Sequence, residues 1–210
     1  MSIGQRLNGL AATALLLLGS IGFAAGAQST KPADSAVASA TAIFAGGCFW
    51  CLEADFEKLP GVIGAESGYT GGKTPNPTYH QVSAGGTGHT EAVRISYDPA
   101  KVNYQQLVDY FWRHIDPTVK DRQFCDVGTQ YRSAIYWQNE AERKIVEASR
   151  DALLRSGKLK QVLTEIASAS AFYPAEEYHQ DYYTKNPIRY AYYRRGCGRD
   201  ARVKEVWGSK

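Results

Sequence analysis

Between residues 91 and 115 the spacing of apolar side chains changes period, and that change limits the fold more than any other feature of the chain. From Glu91 to Tyr97, Val93, Ile95 and Tyr97 alternate with Arg94 and Ser96, the two-residue repeat of a half-buried strand. From Tyr104 the repeat turns helical: Tyr104, Leu107, Val108, Phe111, Trp112 and Ile115 share one face, with Asn103 as N-cap and Gln106 three residues on. Similar switches run along the rest of the chain. Thr41 to Ala45 reads as a strand, Gly46-Gly47 as a turn, and about Cys48 to Lys58 as a helix stopped by Pro60-Gly61. Val62 to Tyr69 is a second strand, followed by a polar, Gly- and Pro-rich loop to Gly88. Tyr131 to Trp137 reads as a strand, Glu140 to Ser156 as a helix ended by Gly157, and Val162 to Ala167 as a last strand. The order βαββαβ followed by αβ predicts an α+β fold, a ferredoxin-like split βαβ plait (a two-layer sandwich) with an added helix and strand. The basic, Tyr-containing stretch from Asn186 onward reads as an irregular C-terminal tail.

A chain of 210 residues has room for one sizeable core. Its start reads as an address: Arg6, an apolar run from Leu10 to Leu18, then Ala25-Gly26-Ala27 as a cleavage pattern. Residues 1–27 are thus expected to be a signal peptide, 28–40 a linker, 41–190 the catalytic domain and 191–210 a tail. The predicted location is periplasmic or secreted, with no membrane attachment after cleavage, because the apolar run is shorter than the roughly 20 residues that span a bilayer. The formal charge of +3 carries no basic stripe, which argues against nucleic-acid binding. A monomer is expected.

Chemistry concentrates on the cysteines, Cys48, Cys51, Cys125 and Cys197. An even count in an exported chain has a structural reading, two disulfide staples. A zinc site would want two such pairs or histidines at matching spacing, and His80, His89 and His114 have no ligand spacing to one another, so no metal is expected. A redox reading fits better. Cys48 opens a helix after two glycines, where backbone N–H groups and the helix dipole favour thiolate. Cys51, one turn on, lies on the same face within disulfide reach. Phe49 and Trp50 set a large apolar surface beside the sulfur, suited to a methyl group or thioether.

The blocks Gly47-Cys48-Phe49-Trp50, Gly68-Tyr69-Thr70-Gly71-Gly72, Asn76-Pro77-Thr78-Tyr79, Thr87-Gly88-His89-Thr90-Glu91-Ala92-Val93, Gly128-Thr129-Gln130-Tyr131-Arg132-Ser133 and Tyr178-His179-Gln180 stand in one order over residues 43 to 187. In them the chain resembles the A-type methionine sulfoxide reductases. The resemblance implies that Cys48 is the nucleophile, that Phe49 and Trp50 cradle the substrate methyl, that Glu91 protonates the sulfoxide oxygen, and that Tyr79, Tyr131 and Asp126 bind and polarise the sulfoxide. It also implies the S epimer as substrate, free or in oxidised proteins, no cofactor, and recycling by an external dithiol such as thioredoxin.

The chemistry explains why these types must meet. Expelling a sulfoxide oxygen as a bare anion is prohibitively unfavourable, so thiolate attack needs a proton delivered at the same site. A desolvated Glu91 can stay protonated near neutral pH. The products are methionine and a Cys48 sulfenic acid, which a second thiol condenses to a disulfide. The chain departs from the family by carrying Cys51 where Gly is common, and by lacking the glycine run that often carries the recycling cysteine. Cys51, Cys125 and Cys197 are therefore all candidates for the resolving thiol, Cys51 favoured by its short covalent spacing. Two rivals remain: a general thiol–disulfide oxidoreductase using Cys48 and Cys51, and a binding module for oxidised or methionine-rich segments with its thiols as staples.

Overall fold

Residues 39–208 are described by a computed structural model of the chain; the expected signal peptide and most of the expected linker lie outside them. Strand β1 (Ala40–Gly46) is the axis of the fold. Its side chains are small or apolar on both faces, so it can be covered on both: Ala42 and Phe44 face one cluster, Ile43 and Ala45 another. Helix α1 (Phe49–Phe56) follows, then β2 (Val62–Thr70), a short α2 (Tyr79–Ser83), β3 (Thr90–Tyr97) and α3 (Tyr104–Trp112). A two-stranded ribbon, β4 (Arg122–Gln123) with β5 (Asp126–Val127), leads through a 3-10 turn at Thr129–Tyr131 into β6 (Ser133–Trp137), α4 (Glu140–Arg155), β7 (Glu165–Ser168) and β8 (Tyr173–Pro174).

The main sheet runs β7-β6-β1-β3-β2-β8. Its inner four strands, β6-β1-β3-β2, are antiparallel, with Phe44 opposite Val93 on one side and Ile135 on the other. This is the expected plait, and α4 with β7, parallel to β6, is the expected addition. β8, paired to β2 through Gly68 and Tyr69, was not foreseen: two residues carry no periodic signal. The helices cover one face. Phe44 lies between Phe56 of α1 and Phe111 of α3, with ring centroids 5.1 and 5.0 Å away. The predicted Asn103–Gln106 capping box opens α3, and Trp112 Nε1 donates to Ser149 Oγ of α4 at 3.0 Å.

The C-terminal stretch corrects the expectation of an irregular tail. After the short α5 (Tyr182–Lys185), it forms α6 (Pro187–Gly196) and α7 (Arg199–Trp207). Helix α6 carries no amphipathic stripe, and α7 only a short one, Val203, Val206 and Trp207, set against the core; the rest of their docking is polar. The Arg199 guanidinium, 2% exposed, donates to Gly46 O (3.0 Å) and His114 O (2.9 Å). Arg194 pairs with buried Asp55 at 2.9 Å, Arg202 with Asp116 at 2.7 Å, and Trp207 Nε1 donates to Ile115 O at 2.9 Å.

Candidate active site

The site begins at the turn between β1 and α1. Gly47 has φ +81°, and a Cβ there would lie 2.6 Å from Gln123 Cβ, so only glycine lets the chain turn this tightly over the β4 ribbon. Gln123 is itself fixed, accepting from Asp116 N–H at 2.9 Å and donating to Asp116 O at 2.7 Å. Cys48 is therefore delivered as the N-cap of α1, buried at 7% exposure.

The leading N–H groups of α1 do not point at the sulfur, as the sequence suggested. Phe49 N–H donates to Glu91 Oε2 at 3.0 Å, and Cys48 N–H donates to the Asp126 carboxylate. Glu91 sits on β3 opposite Tyr69 of β2 and is buried. Burial pushes its carboxyl up to about 8 against the Phe49 hydrogen bond, with the charges of Asp126 and Cys51 adding to the rise. Glu91 is thus mostly an acid at neutral pH. Burial also raises Asp126, opposed by the Tyr193 hydroxyl, Arg199 and the Cys48 N–H.

The two sulfurs of α1 interact. Burial pushes the Cys48 thiol up, and Cys51 and Glu91 reinforce the rise; Cys51, accepting the Cys48 S–H, is held down, helped by Arg199 and Arg194.

Around Cys48 a cavity of about 80 Å³ is lined by Phe49, Trp50, Tyr79, Glu91, Asp126, Tyr131 and Tyr193. The structure so brings together Cys48, Phe49, Trp50, Glu91, Tyr79, Tyr131 and Asp126, residues named from the sequence. Cys51, 1% exposed, lies outside the cavity wall. Tyr193, of α6, was missed; its signal was faint, a tyrosine one helical turn before Cys197.

The aromatic walls are held by contacts of their own. Phe49 packs with His179 and Tyr69, centroids 5.0 and 6.0 Å away, and Trp50 stacks on Tyr182 at 3.6 Å. Trp50 Nε1 donates to His179 Nδ1 at 3.0 Å, and burial lowers His179, so the ring is neutral with its proton on Nε2. Glu176 accepts from Tyr79 N–H and from Tyr69 Oη, both at 2.8 Å, fixing the start of α2. Burial first, then the charges of Glu91 and Cys48, pushes the Tyr79 phenol up to about 12, and burial raises Tyr131 as well; both remain proton donors.

Cys125 and Cys197 are joined in a disulfide beside this pocket, Cα atoms 4.9 Å apart, with Cys125 exposed. Cys197 is the C-cap of α6, where the sequence suggested a loose tail. The ligand atoms of Cys125, Asp126 and Cys197 cluster, but sulfurs in a disulfide offer no thiolate to an ion. A second cluster, Glu53, Glu57 and Asp181, has Glu53 engaged by Ser67 Oγ and by Asp181 N–H.

The chain matches the family model described as peptide methionine sulfoxide reductase over residues 40–210. A Caulobacter vibrioides protein named peptide methionine sulfoxide reductase MsrA 2 is 48% identical over 204 residues, covering 97% of this chain and 99% of its own. A Ligilactobacillus salivarius protein named peptide methionine sulfoxide reductase MsrA is 52% identical over 168 residues, 80% of this chain and 97% of its own. Among solved structures, methionine sulfoxide reductase A of Corynebacterium diphtheriae superposes with TM-score 0.64 at 40% identity, covering 71% of this chain and 76% of that one. Reduced Mxr1 of Saccharomyces cerevisiae gives 0.67 at 32% identity, covering 71% and 87%. With a matching family model over most of its length and near-full-length relatives of that one name, the chain belongs to the peptide methionine sulfoxide reductase family, A type.

Proposed function

We propose that the protein reduces methionine S-sulfoxide, free or in oxidised proteins, to methionine at the Cys48 sulfur. One observation carries this: a cavity the size of a methyl sulfoxide head holds a thiol, a carboxylic acid that is mostly protonated at neutral pH, and two phenols over an aromatic wall. A disulfide oxidoreductase has no use for the acid, and a binding module has none for the buried nucleophile. The Cys48 thiolate attacks the sulfoxide sulfur as Glu91 gives its proton to the oxygen, with Tyr79, Tyr131 and Asp126 aligning the S–O group and Phe49 and Trp50 against the methyl. Oxygen leaves the substrate as the hydroxyl of a Cys48 sulfenic acid, and the two electrons for the substrate come from the thiolate sulfur.

Recycling uses the remaining thiols in order of burial. Cys51 condenses with the sulfenic acid, releasing water, because its sulfur already interacts with that of Cys48. A thioredoxin-like dithiol cannot reach a sulfur 1% exposed, whereas Cys125 is open to solvent. Electrons therefore enter at the Cys125–Cys197 disulfide and pass to Cys48–Cys51 by dithiol exchange. The leader signature at residues 1–27 supports a reading in which the chain is exported and carries out this repair in the periplasm or outside the cell.

The test starts from protein reduced at all four cysteines, adds one equivalent of a methyl sulfoxide, and maps disulfides by peptide mass. A Cys48–Cys51 disulfide should form first and Cys125–Cys197 later; Cys48→Ser should form no methionine. Turnover by Cys48→Ser would sink the mechanism, and loss of sulfenic acid at an unchanged rate in Cys51→Ala would assign resolution to Cys125 or Cys197.

A further inference from the structure

The one cavity wall contributed by the C-terminal helices is Tyr193. Its hydroxyl donates to Asp126 Oδ2 at 2.6 Å, and the same hydroxyl interacts with the Cys48 sulfur. Its ring meets the Trp50 indole edge-on, centroids 5.8 Å apart at 80°. The motif blocks end at Gln180, so nothing in them assigns this residue a role.

The hydroxyl is fixed from both ends. Arg194, next in the chain, is anchored on Asp55 and Asp200, and Arg199 is anchored on Gly46 O, the carbonyl two residues before Cys48. One helical turn after Tyr193, Cys197 is bonded to Cys125, the neighbour of Asp126. Donor and acceptor of the Tyr193–Asp126 hydrogen bond are thus tied together covalently as well as by packing.

Asp126 does not depend on this phenol alone, since it also accepts the Cys48 N–H. The hydroxyl therefore has two acceptors to choose between, a carboxylate and, once Cys48 ionises, a thiolate. Among the groups facing Cys48, Glu91 and Cys51 oppose the thiolate and Tyr193 favours it. Burial of the site makes each such hydrogen bond count, because water cannot replace it.

We propose that Tyr193 is the positioning residue of the nucleophile: its hydroxyl, shared between Asp126 and Cys48, holds the thiolate in line with the sulfoxide sulfur. This rests on the reading of Cys48 as the attacking group. The ring itself serves as packing; the proposal concerns the oxygen.

Tyr193→Phe removes only that oxygen. Cys48 alkylation by iodoacetamide, followed by peptide mass across pH in substrate-free protein, reads the thiolate directly. Losing one hydrogen bond to a charged sulfur should displace the profile upward by roughly one pH unit, about a tenfold slower reaction at neutral pH that converges with wild type at high pH. Single-turnover reduction of a methyl sulfoxide should slow about tenfold, with KM and the melting temperature nearly unchanged. Replacing Tyr193 by 3,5-difluorotyrosine, a better donor of nearly the same shape, should move the alkylation profile the other way and keeps the test open if Tyr193→Phe does not fold. An alkylation profile in Tyr193→Phe that superposes on wild type overturns the proposal. Wild-type protein that alkylates at Cys48 but never reduces a sulfoxide overturns the functional reading instead, and the comparison of profiles still decides on Tyr193.

Discussion

Glu91→Gln separates catalysis from stability. Gln keeps the acceptor that Phe49 N–H uses at 3.0 Å and removes the proton with its titration. The rate of one sulfoxide reduction depends on Cys48 being ionised and Glu91 being protonated, so wild-type rate alone mixes two titrations. The ratio of wild-type to variant rate isolates Glu91, because Cys48 enters both. With Glu91 pushed up to about 8, that ratio should be flat below pH 8, at roughly 10²-fold or more for a positioned general acid, and then fall about tenfold per pH unit. Stability runs the opposite way. A carboxyl whose value rises from 4.5 unfolded to about 8 folded contributes fully below 4.5 and loses that contribution as pH rises through 8. Between pH 5 and pH 9 wild type should lose about 4 kcal/mol relative to the variant, from 1.36 kcal/mol per pH unit up to the folded value of about 8, above which the loss levels off. Rapid-quench single turnovers from pH 6 to 10, with urea unfolding at pH 5 and 9, measure both. A rate ratio near one, or a ratio without a break near pH 8, would refute the assignment of the proton to Glu91. A variant no more stable than wild type at pH 9 would refute its burial as the cause.

Two further substitutions probe what delivers Cys48. Gly47→Ala puts a Cβ at φ +81° against Gln123, and should cost about 1–3 kcal/mol and slow the first turnover, read by urea unfolding and rapid quench; a neutral effect on both would show that the turn has slack. Arg199→Met strips the buried guanidinium from Gly46 O, His114 O and the vicinity of Asp55, and should cost about 3–5 kcal/mol and expose α7 to protease; a loss under about 1 kcal/mol would mean that Arg194 and Trp207 suffice to dock the tail.

What was legible in the sequence follows from how each element is held. β3 and α3 were readable because each buries one apolar face, which writes a period into the chain, and the α3 cap is local chemistry between Asn103 and Gln106. The residues lining the pocket from α1, α2, β3 and the turn before β6 sit in contiguous blocks marked by glycines and by the family resemblance. Tyr193 and helix α6 were not legible, and α7 offered only the short signal of Val203, Val206 and Trp207, because Arg199, Arg194 and Arg202 dock these helices onto Asp55, Asp116 and backbone carbonyls, and an arginine written in a charged stretch looks the same whether exposed or buried. The pairing of Cys125 with Cys197 needs 72 residues of separation to close, which no spacing rule predicts.

The helix start also carries a lesson about reactivity. A cysteine at an N-terminus suggests a thiolate held by backbone N–H groups, yet here Phe49 and Cys48 give theirs to Glu91 and Asp126. The helix end thus positions two carboxyls, while Cys48, raised by burial, rests as a thiol beside protonated Glu91. That resting pair is uncharged and poorly reactive toward stray electrophiles. A sulfoxide changes the balance, because its sulfur carries the positive end of the S–O dipole and its oxygen takes up the acid's hydrogen bond. In a cavity of low dielectric the positive end favours ionised Cys48, and the bond to oxygen keeps Glu91 protonated. Both protonation states that the reaction needs are therefore favoured by the substrate itself, which makes the nucleophile strongest when the group it attacks is in place.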